Sequence, residues 1–322
     1  MNDMSQSRVA VIMTCYNEGA YIGAAVRSVL DQSRSDLIEQ IVIADDGSRP
    51  DTIAVLKEIE GWDSRILVLY GPGGVGLPGQ RNLAIAQTRA PWIAILDGDD
   101  LWTADKLEKQ LPAMSDPGVG LVYADYFVFP DGDLKAARRA GVLDIANSPD
   151  LARTYFLNDP PIIPSTTLIR RSAFDACRGF DAGVRIFEDT DFYIRLTRVT
   201  RFALTNVPLL YKRNRGSSIT GGRKDLMAHH AFVAFKAASE EPRLLPLVAR
   251  RLSERARKLG NHRFLLGDNQ EATSLLRLAT RLDLLNWRAW ISLTVSGLFA
   301  GLAYRLLETK LRARRRSLGV KD

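Results

Sequence analysis

Three acidic clusters punctuate the chain: Asp45-Asp46-Gly47-Ser48, Asp97-Gly98-Asp99-Asp100 and Glu188-Asp189-Thr190-Asp191. Three carboxylates in four residues repel one another unless a cation lies among them. If the apolar run Trp92–Leu96 is a strand, Asp97 and Asp99 just beyond it point to one side, so their oxygens can converge on one ion. A site of one or two carboxylates, completed by substrate phosphates, suits Mg²⁺ or Mn²⁺. The competing reading is a solvated acidic loop in which Asp100 caps a helix near Thr103. In the first cluster, one carboxylate could accept hydrogen bonds from a base or ribose, or serve only a turn and a helix start. Thr14-Cys15-Tyr16-Asn17-Glu18 closes an earlier apolar run, and Tyr16 is placed either to pack on a nucleobase or to cover the sheet rim.

Glu188-Asp189 precedes an amphipathic segment, so Asp189 could cap that helix. Elimination favours chemistry instead. The histidines (His229, His230, His262) all lie late in the chain, so a general base in the first 220 or so residues must be a carboxylate or a Tyr, Lys or Cys side chain. No Ser-His-Asp or Cys-His pair can be assembled there, and no His/Cys cluster suggests structural zinc.

The elements that must position these groups follow from the apolar pattern. Val9–Thr14, Gln40–Ala44, Arg65–Tyr70, Trp92–Leu96 and Gly120–Ala124 read as strands, nearly all buried on both faces. Ala20–Asp31, Thr52–Glu60, Gln80–Thr88 and Ala104–Met114 carry helical stripes between them. This alternation predicts an open α/β sheet, with ligands bound beyond the carboxyl ends of its strands. Asp131–Pro161 reads as an excursion from the sheet, and the residues that choose among sugars are expected within Asp131–Ser165. A strand over Ile162–Ile169, helices over Arg171–Cys177 and Asp189–Arg198, and strands over Arg201–Thr205 and Pro208–Lys212 follow. From about Lys224 the pattern is helical throughout, with a hairpin of Leu252–Phe264 and Glu271–Arg281 turning at Gly267-Asp268-Asn269.

Gly71-Pro-Gly-Gly-Val-Gly76 matches the dinucleotide fingerprint G-x-G-x-x-G. Pro78 and Gly79 fall where the fingerprint's helix should already run, and the first strand's turn has no glycine cluster. A glycine loop beside the site is the better reading.

Together the ordered segments resemble the family 2 glycosyltransferases, inverting enzymes of the GT-A fold. The resemblance spans roughly Val9 to Thr220 and rests on Val11–Glu18, Ser28–Ser33, Ile41–Ser48, Gly79–Ala84, Ile95–Trp102 and Phe187–Asp191. It implies an open, mostly parallel sheet flanked by helices over residues 1–222, with an all-helical extension over 223–322. It implies that Thr14, Tyr16, Glu18 and Arg81 line the nucleotide-sugar pocket and that Asp46 bonds the base. Asp97 and Asp99 would hold nucleotide and Mn²⁺ or Mg²⁺, with Asp100 as a third candidate ligand. Asp189 would be the catalytic base, with Glu188 its rival. The donor would be a nucleotide sugar, UDP-sugars first, and the acceptor a glycan or lipid-linked hydroxyl in polysaccharide or glycolipid synthesis. Where many relatives have a histidine after the last core strand, this chain has Asn214; Lys212, Arg213 and Arg215 beside it can supply charge to a diphosphate or be solvated. There is no Gln-x-x-Arg-Trp cluster, so a single addition is expected. A sugar-1-phosphate nucleotidyltransferase would want a Gly-, Arg- and Lys-bearing loop after the first strand, which Thr14–Gly19 lacks. A catalytically silent nucleotide-binding scaffold would not need intact acidic residues in all three clusters.

The chain's 322 residues and 46% hydrophobic content suit roughly two globular domains. Cys15 and Cys177 are expected to be buried reduced thiols. The polar Met1–Arg8 has no signal-peptide character, and a cytoplasmic location is expected. The net charge of +7 is uneven: 17 Lys/Arg against 6 Asp/Glu from Pro242 onward gives +11, leaving −4 for residues 1–241. That balance speaks against nucleic acid as the partner and towards an anionic membrane surface or a solvated helix. Ala289–Tyr304 is uncharged but, at 16 residues, short of the roughly 20 a span needs. With Trp287 and Trp290 before it and Lys310–Arg316 after it, the tail reads either as a helix in the inner membrane interface or as one that packs on its own domain.

Overall fold

The computed structural model describes residues 7–215 and 225–298. The expectations for Phe299–Tyr304, Lys310–Arg316 and the loop after Arg215 fall outside the described residues. The chain forms two compact units, one of residues 1–152 and 160–215 and one of residues 153–159 and 216–322.

The first unit runs β1 (Val9–Cys15), α1 (Gly19–Leu30), β2 (Ile38–Asp45), α2 (Pro50–Glu60), β3 (Ile66–Tyr70), α3 (Leu77–Ala86), β4 (Trp92–Asp97), β5 (Leu101–Trp102), α4 (Lys106–Met114), β6 (Val119–Pro130) and β7 (Arg138–Arg139). After α5 (Leu151–Asn158) come β8 (Leu168–Arg170), α6 (Arg171–Ala176), α7 (Glu188–Leu196) and β9 (Arg201–Asn214). The sheet order is β3-β2-β1-β4-β8-β6-β9-β5, with β7 on β6. The first four strands are parallel, and the half beyond β4 is mixed. Strands β1 and β4 are buried along nearly their whole length, which explains why their sequences are apolar at every position rather than at alternate ones. Register decides where chemistry can happen. Thr14 of β1 lies between Ala44 of β2 and Asp97 of β4, so the first two acidic clusters leave the sheet on the same edge, side by side.

Three local expectations are corrected. Helix α3 begins directly after Gly76, with Pro78 in its first turn, where a missing N–H costs nothing because first-turn donors lack helical partners. The strand expected over Ile162–Ile169 shrinks to β8, since Pro164 opens a 3₁₀ turn over Pro164–Thr166. The two late strands merge into β9, whose register against β6 slips where Thr205 opposes Ala124 and Pro208 opposes Asp125; a proline fits such an irregularity because it has no N–H for the ladder.

The second unit contains α8 (Leu226–Glu240), α9 (Val248–Leu265), α10 (Asn269–Leu282) and α11 (Trp287–Leu298). Helices α9 and α10 form the expected hairpin, with Asp268 capping α10 by accepting from Glu271 N at 3.2 Å. Inside this unit the buried Arg251 donates to Phe156 O and pairs with Asp159 at 3.3 Å, and Arg255 also pairs with Asp159. Asp159 is the acid for two guanidinium groups. Asp159→Asn tolerates the same left-handed backbone (φ 44) but removes that charge. It should lower stability by about 3 kcal/mol, as for other broken buried pairs, read from urea unfolding followed by circular dichroism. An unchanged midpoint would show that the pair contributes nothing.

Candidate active site

The site is organised by a buried arginine. Arg81 on α3 is 1% exposed and donates from Nη1 to Glu188 Oε1 and from Nη2 to Asp97 Oδ1, both at 2.8 Å. Burial opposes its charge, yet Asp97 and Glu188 outweigh burial and hold it firmly protonated. One guanidinium therefore joins the end of β4, the second turn of α3 and the start of α7.

The neighbouring turn of α3 holds the first cluster. Asp46 Oδ1 accepts from Val75 N (3.0 Å) and Gln80 Nε2 (2.8 Å), and Oδ2 accepts from Gly76 N (2.9 Å). A carboxylate at a helix N-terminus is stabilised by unpaired N–H groups and the helix dipole. Here it also occupies the donors that a pyrophosphate would use in a dinucleotide fold, a better reason to set that reading aside than the position of Pro78. Gly47 is required beside it: its φ is +77, and a Cβ would lie 2.7 Å from Gly73 Cα. Asp45 serves the turn, accepting from Gly47 N and Ser48 N at 3.0 Å each.

The Asp97–Asp100 loop divides its carboxylates among different partners. Burial works against the ionised form of Asp97, but Arg81 and Lys212 hold it below the usual range. Asp99 pairs with Arg215 at 2.6 Å, and the same Arg215 nitrogen bonds Glu18 at 2.7 Å. Burial and Asp97 raise Asp99; burial, aided by Asp99, lifts Glu18 to about 7. Asp100 is fully buried and accepts from Ser165 Oγ (2.9 Å) and Arg213 N (3.0 Å). Those bonds tie the loop to β9 and the 3₁₀ turn; Asp100 caps no helix, and with both oxygens engaged it is a poor metal ligand. Lys212 keeps its charge against burial because Asp100, Asp97 and Asp99 surround it.

Helix α7 starts after Phe187, whose backbone is left-handed (φ 64, ψ 32). A bulky residue there is strained, as happens where a site over-determines the backbone. Asp189 does not cap the helix; its Oδ1 accepts only from Thr190 N at 2.7 Å among the described residues. Burial and the adjacent Glu188 push Asp189 up to about 7, whereas Glu188 is also raised by burial but held by Arg81. Of the pair, Asp189 is the one suited to exchange a proton near neutrality.

Thr14, Glu18, Asp46, Arg81, Asp97, Asp99, Asp100, Glu188 and Asp189 thus share one sheet edge, joined by α3, α7 and β9. Tyr16 is 62% exposed at that edge. Residues not foreseen are Ser165, Gln80 and Asn17. Ser165 accepts from Asp97 N (3.1 Å) while bonding Asp100. Asn17 accepts from Arg49 N at 2.8 Å and its own N–H bonds Ser48 Oγ at 2.8 Å, joining the turns after β1 and β2. The signal available for Ser165 was its place in a run of small hydroxyl residues between prolines and an apolar strand.

A parallel half-sheet with acidic clusters at its carboxyl edge and an acid pair on a helix start defines a nucleotide-sugar-type α/β fold. The family description "Glycosyl transferase family 2" matches residues 10–178, and the chain belongs to that family. It is 38% identical over 118 residues to the putative teichuronic acid biosynthesis glycosyltransferase TuaG of Bacillus subtilis, covering 37% of this chain and 46% of that protein. It is 33% identical over 131 residues to the Escherichia coli UDP-Glc:alpha-D-GlcNAc-diphosphoundecaprenol beta-1,3-glucosyltransferase WfgD, covering 41% of this chain and 50% of that protein. The match spans about half the length of these curated relatives. In fold it is similar to S. aureus TarS 1-349 in complex with UDP-GlcNAc (TM-score 0.63, 16% identity, 95% of this chain and 92% of that one). It is also similar to the mannosyltransferase PcManGT from Pyrobaculum calidifontis in complex with GDP-Man and Mn2+ (TM-score 0.56, 16% identity, 97% of this chain and 85% of that one).

Gly98 lies where α1 approaches the loop: a Cβ would meet Glu18 Oε2 at 2.5 Å and Thr14 O at 3.1 Å. Gly98→Ala should push Glu18 off Arg215 and weaken nucleotide binding by about tenfold, or 1.4 kcal/mol, in calorimetry. Wild-type affinity would refute this tight packing.

Proposed function

We propose that the chain is an inverting glycosyltransferase that moves a sugar from a nucleotide-sugar donor to an acceptor hydroxyl, acting once per acceptor in polysaccharide or glycolipid synthesis. The observation that carries the reading is the Arg81 bridge. It sets Asp189, the carboxylate raised to about 7, next to the Asp97 loop at the sheet edge where an α/β fold binds its ligand. A UDP-sugar is the favoured donor, supported by the UDP-GlcNAc complex of TarS and the named donor of WfgD. WfgD's named acceptor, a diphosphoundecaprenol lipid, supports a lipid-linked acceptor and a peripheral, cytoplasmic-face location.

The donor's base would stack on exposed Tyr16 and bond Asp46, whose Oδ2 keeps a lone pair beyond the Gly76 N–H. Thr14 and Glu18 would line the ribose side, and Lys212 with Arg215 would face the diphosphate. No group of three or more His, Cys, Asp or Glu among the described residues could enclose a metal, so the fit must be with a partly substrate-completed site. Asp99 and Asp97 fit such a site: Asp99 is raised by burial and by Asp97, Glu18 by burial and by Asp99, and Asp99 and Glu18 already share a cation in Arg215. Mn²⁺ or Mg²⁺ held there would offset negative charge on the departing diphosphate. Asp189 takes the acceptor's hydroxyl proton as the new C–O bond forms at the anomeric carbon. The bond to the diphosphate breaks in the same displacement, its electron pair leaves with the nucleotide, and the configuration inverts. Arg81 holds Glu188 in an ion pair, which leaves Asp189 as the carboxylate placed to accept the proton.

Turnover of a panel of UDP-, GDP- and dTDP-sugars with Mn²⁺ tests the reading. Asp189→Asn should lower turnover by about 10²–10⁴-fold with donor affinity held within a few-fold by calorimetry; equal turnover would remove Asp189 as the base. The pH profile follows from the direction of the shift. A base with pKa near 7 is protonated and inactive below it, so kcat/KM should fall tenfold per unit as pH drops from 7 to 5 and level off above 8. A flat profile from pH 5 to 8 would contradict the assignment.

A further inference from the structure

We propose that the corner between α10 and α11 is a docking surface for an anionic lipid bilayer. Helix α11 has two sides of unlike chemistry. Its inward side is satisfied by small and aliphatic residues: Ala289 packs with Ala256 and Ala279, and Val295 packs on Phe264 and Ala272. Trp287, Trp290 and Ile291 lie at i, i+3 and i+4, the spacing of a core-facing stripe, yet all three are exposed. The connector adds Leu284 and Leu285, the latter 88% exposed, at its tip. Trp290 Nε1 donates to Leu284 O at 3.0 Å, which fixes the indole against the connector. Five large apolar side chains in eight residues are thus presented together without a partner within the described residues.

Charge selects the occupant. Exposed Arg277, Arg281 and Arg288 flank the apolar tip, with Asp283 as the sole acid from Arg277 to Leu298, a balance of three minus one, or +2. Arg288 lies over the Trp287 ring at 5.5 Å. Arg277 and Arg281 also line a concavity of about 650 Å³ along α10 together with Gln270, Thr273 and Ser274, donors suited to phosphate oxygens. Tryptophan and leucine inserted at headgroup depth, with arginines at the phosphate level, is the composition of an interfacial anchor. No helix among the described residues is long and apolar enough to cross a membrane. The proposal rests on the lipid-linked acceptor reading for its purpose, since the surface would hold the chain where such an acceptor is found.

The test is vesicle flotation of the full chain, with vesicles of phosphatidylcholine alone and with 30% phosphatidylglycerol added, beside the triple variant Leu284→Asp, Leu285→Asp, Trp287→Asp. Those side chains are exposed, so folding should survive and circular dichroism checks it; the variant keeps every basic residue of the tail. Wild type should float with the anionic vesicles, and the variant should bind at least tenfold more weakly. Equal binding of the two, or no wild-type binding to anionic vesicles, overturns the proposal. So does a wild-type dimer in light scattering that the variant abolishes, because a second copy would then be the occupant. Donor turnover with a soluble acceptor, measured on the same samples, separates the two ideas. Wild-type turnover without docking sinks this surface alone, and wild-type docking without turnover sinks the transferase reading alone.

Discussion

A single buried guanidinium holds the site together. Arg81 has almost no exposure to water, and its two terminal nitrogens are spent on Asp97 and Glu188. Removing the guanidinium would leave two carboxylates buried without the cation they share, which costs several kcal/mol. The three elements that carry these residues must therefore form together: β4 delivers Asp97, α3 delivers Arg81 and α7 delivers Glu188. Asp189 gains its position from this bridge, since it follows Glu188 and touches no cation directly among the bonds described.

Around the bridge, the site is a balance of charges under low dielectric. Burial raises Glu18, Asp99, Asp100 and Asp189, while Arg81 and Lys212 reverse that trend for Asp97. Arg215 sits between Glu18 and Asp99 and relieves their repulsion. Asp46 solves a separate problem at the same edge: it binds the first turn of α3 and so fixes the helix that presents Arg81.

Much of this was readable in the sequence because the parallel half of the sheet is buried on both faces. Its strands must be apolar throughout, and their ends are marked by Asp45-Asp46 and Asp97-Gly98-Asp99. The helix α7 start and the three acidic clusters were legible for the same reason. What could not be read were roles set by distant partners. Asp100 looks like Asp97 and Asp99 in sequence, yet Ser165 and the Arg213 N–H make it a brace. Pro78 looks like an interruption but sits in a first turn, where proline is tolerated. Arg201–Asn214 looked like two strands because a bulge at Pro208 breaks its period. The outward face of α11 was open to two readings, since the periodicity of an apolar stripe is the same whether it meets a core or a membrane.

The central claim is a direct displacement at the anomeric carbon assisted by Asp189. It is tested most directly by the anomeric configuration of the first product, read by proton NMR from a donor of known configuration before any mutarotation of released sugar. The account predicts a linkage of inverted configuration. A linkage of retained configuration would contradict it, because one displacement with a carboxylate base on the acceptor side cannot produce that outcome.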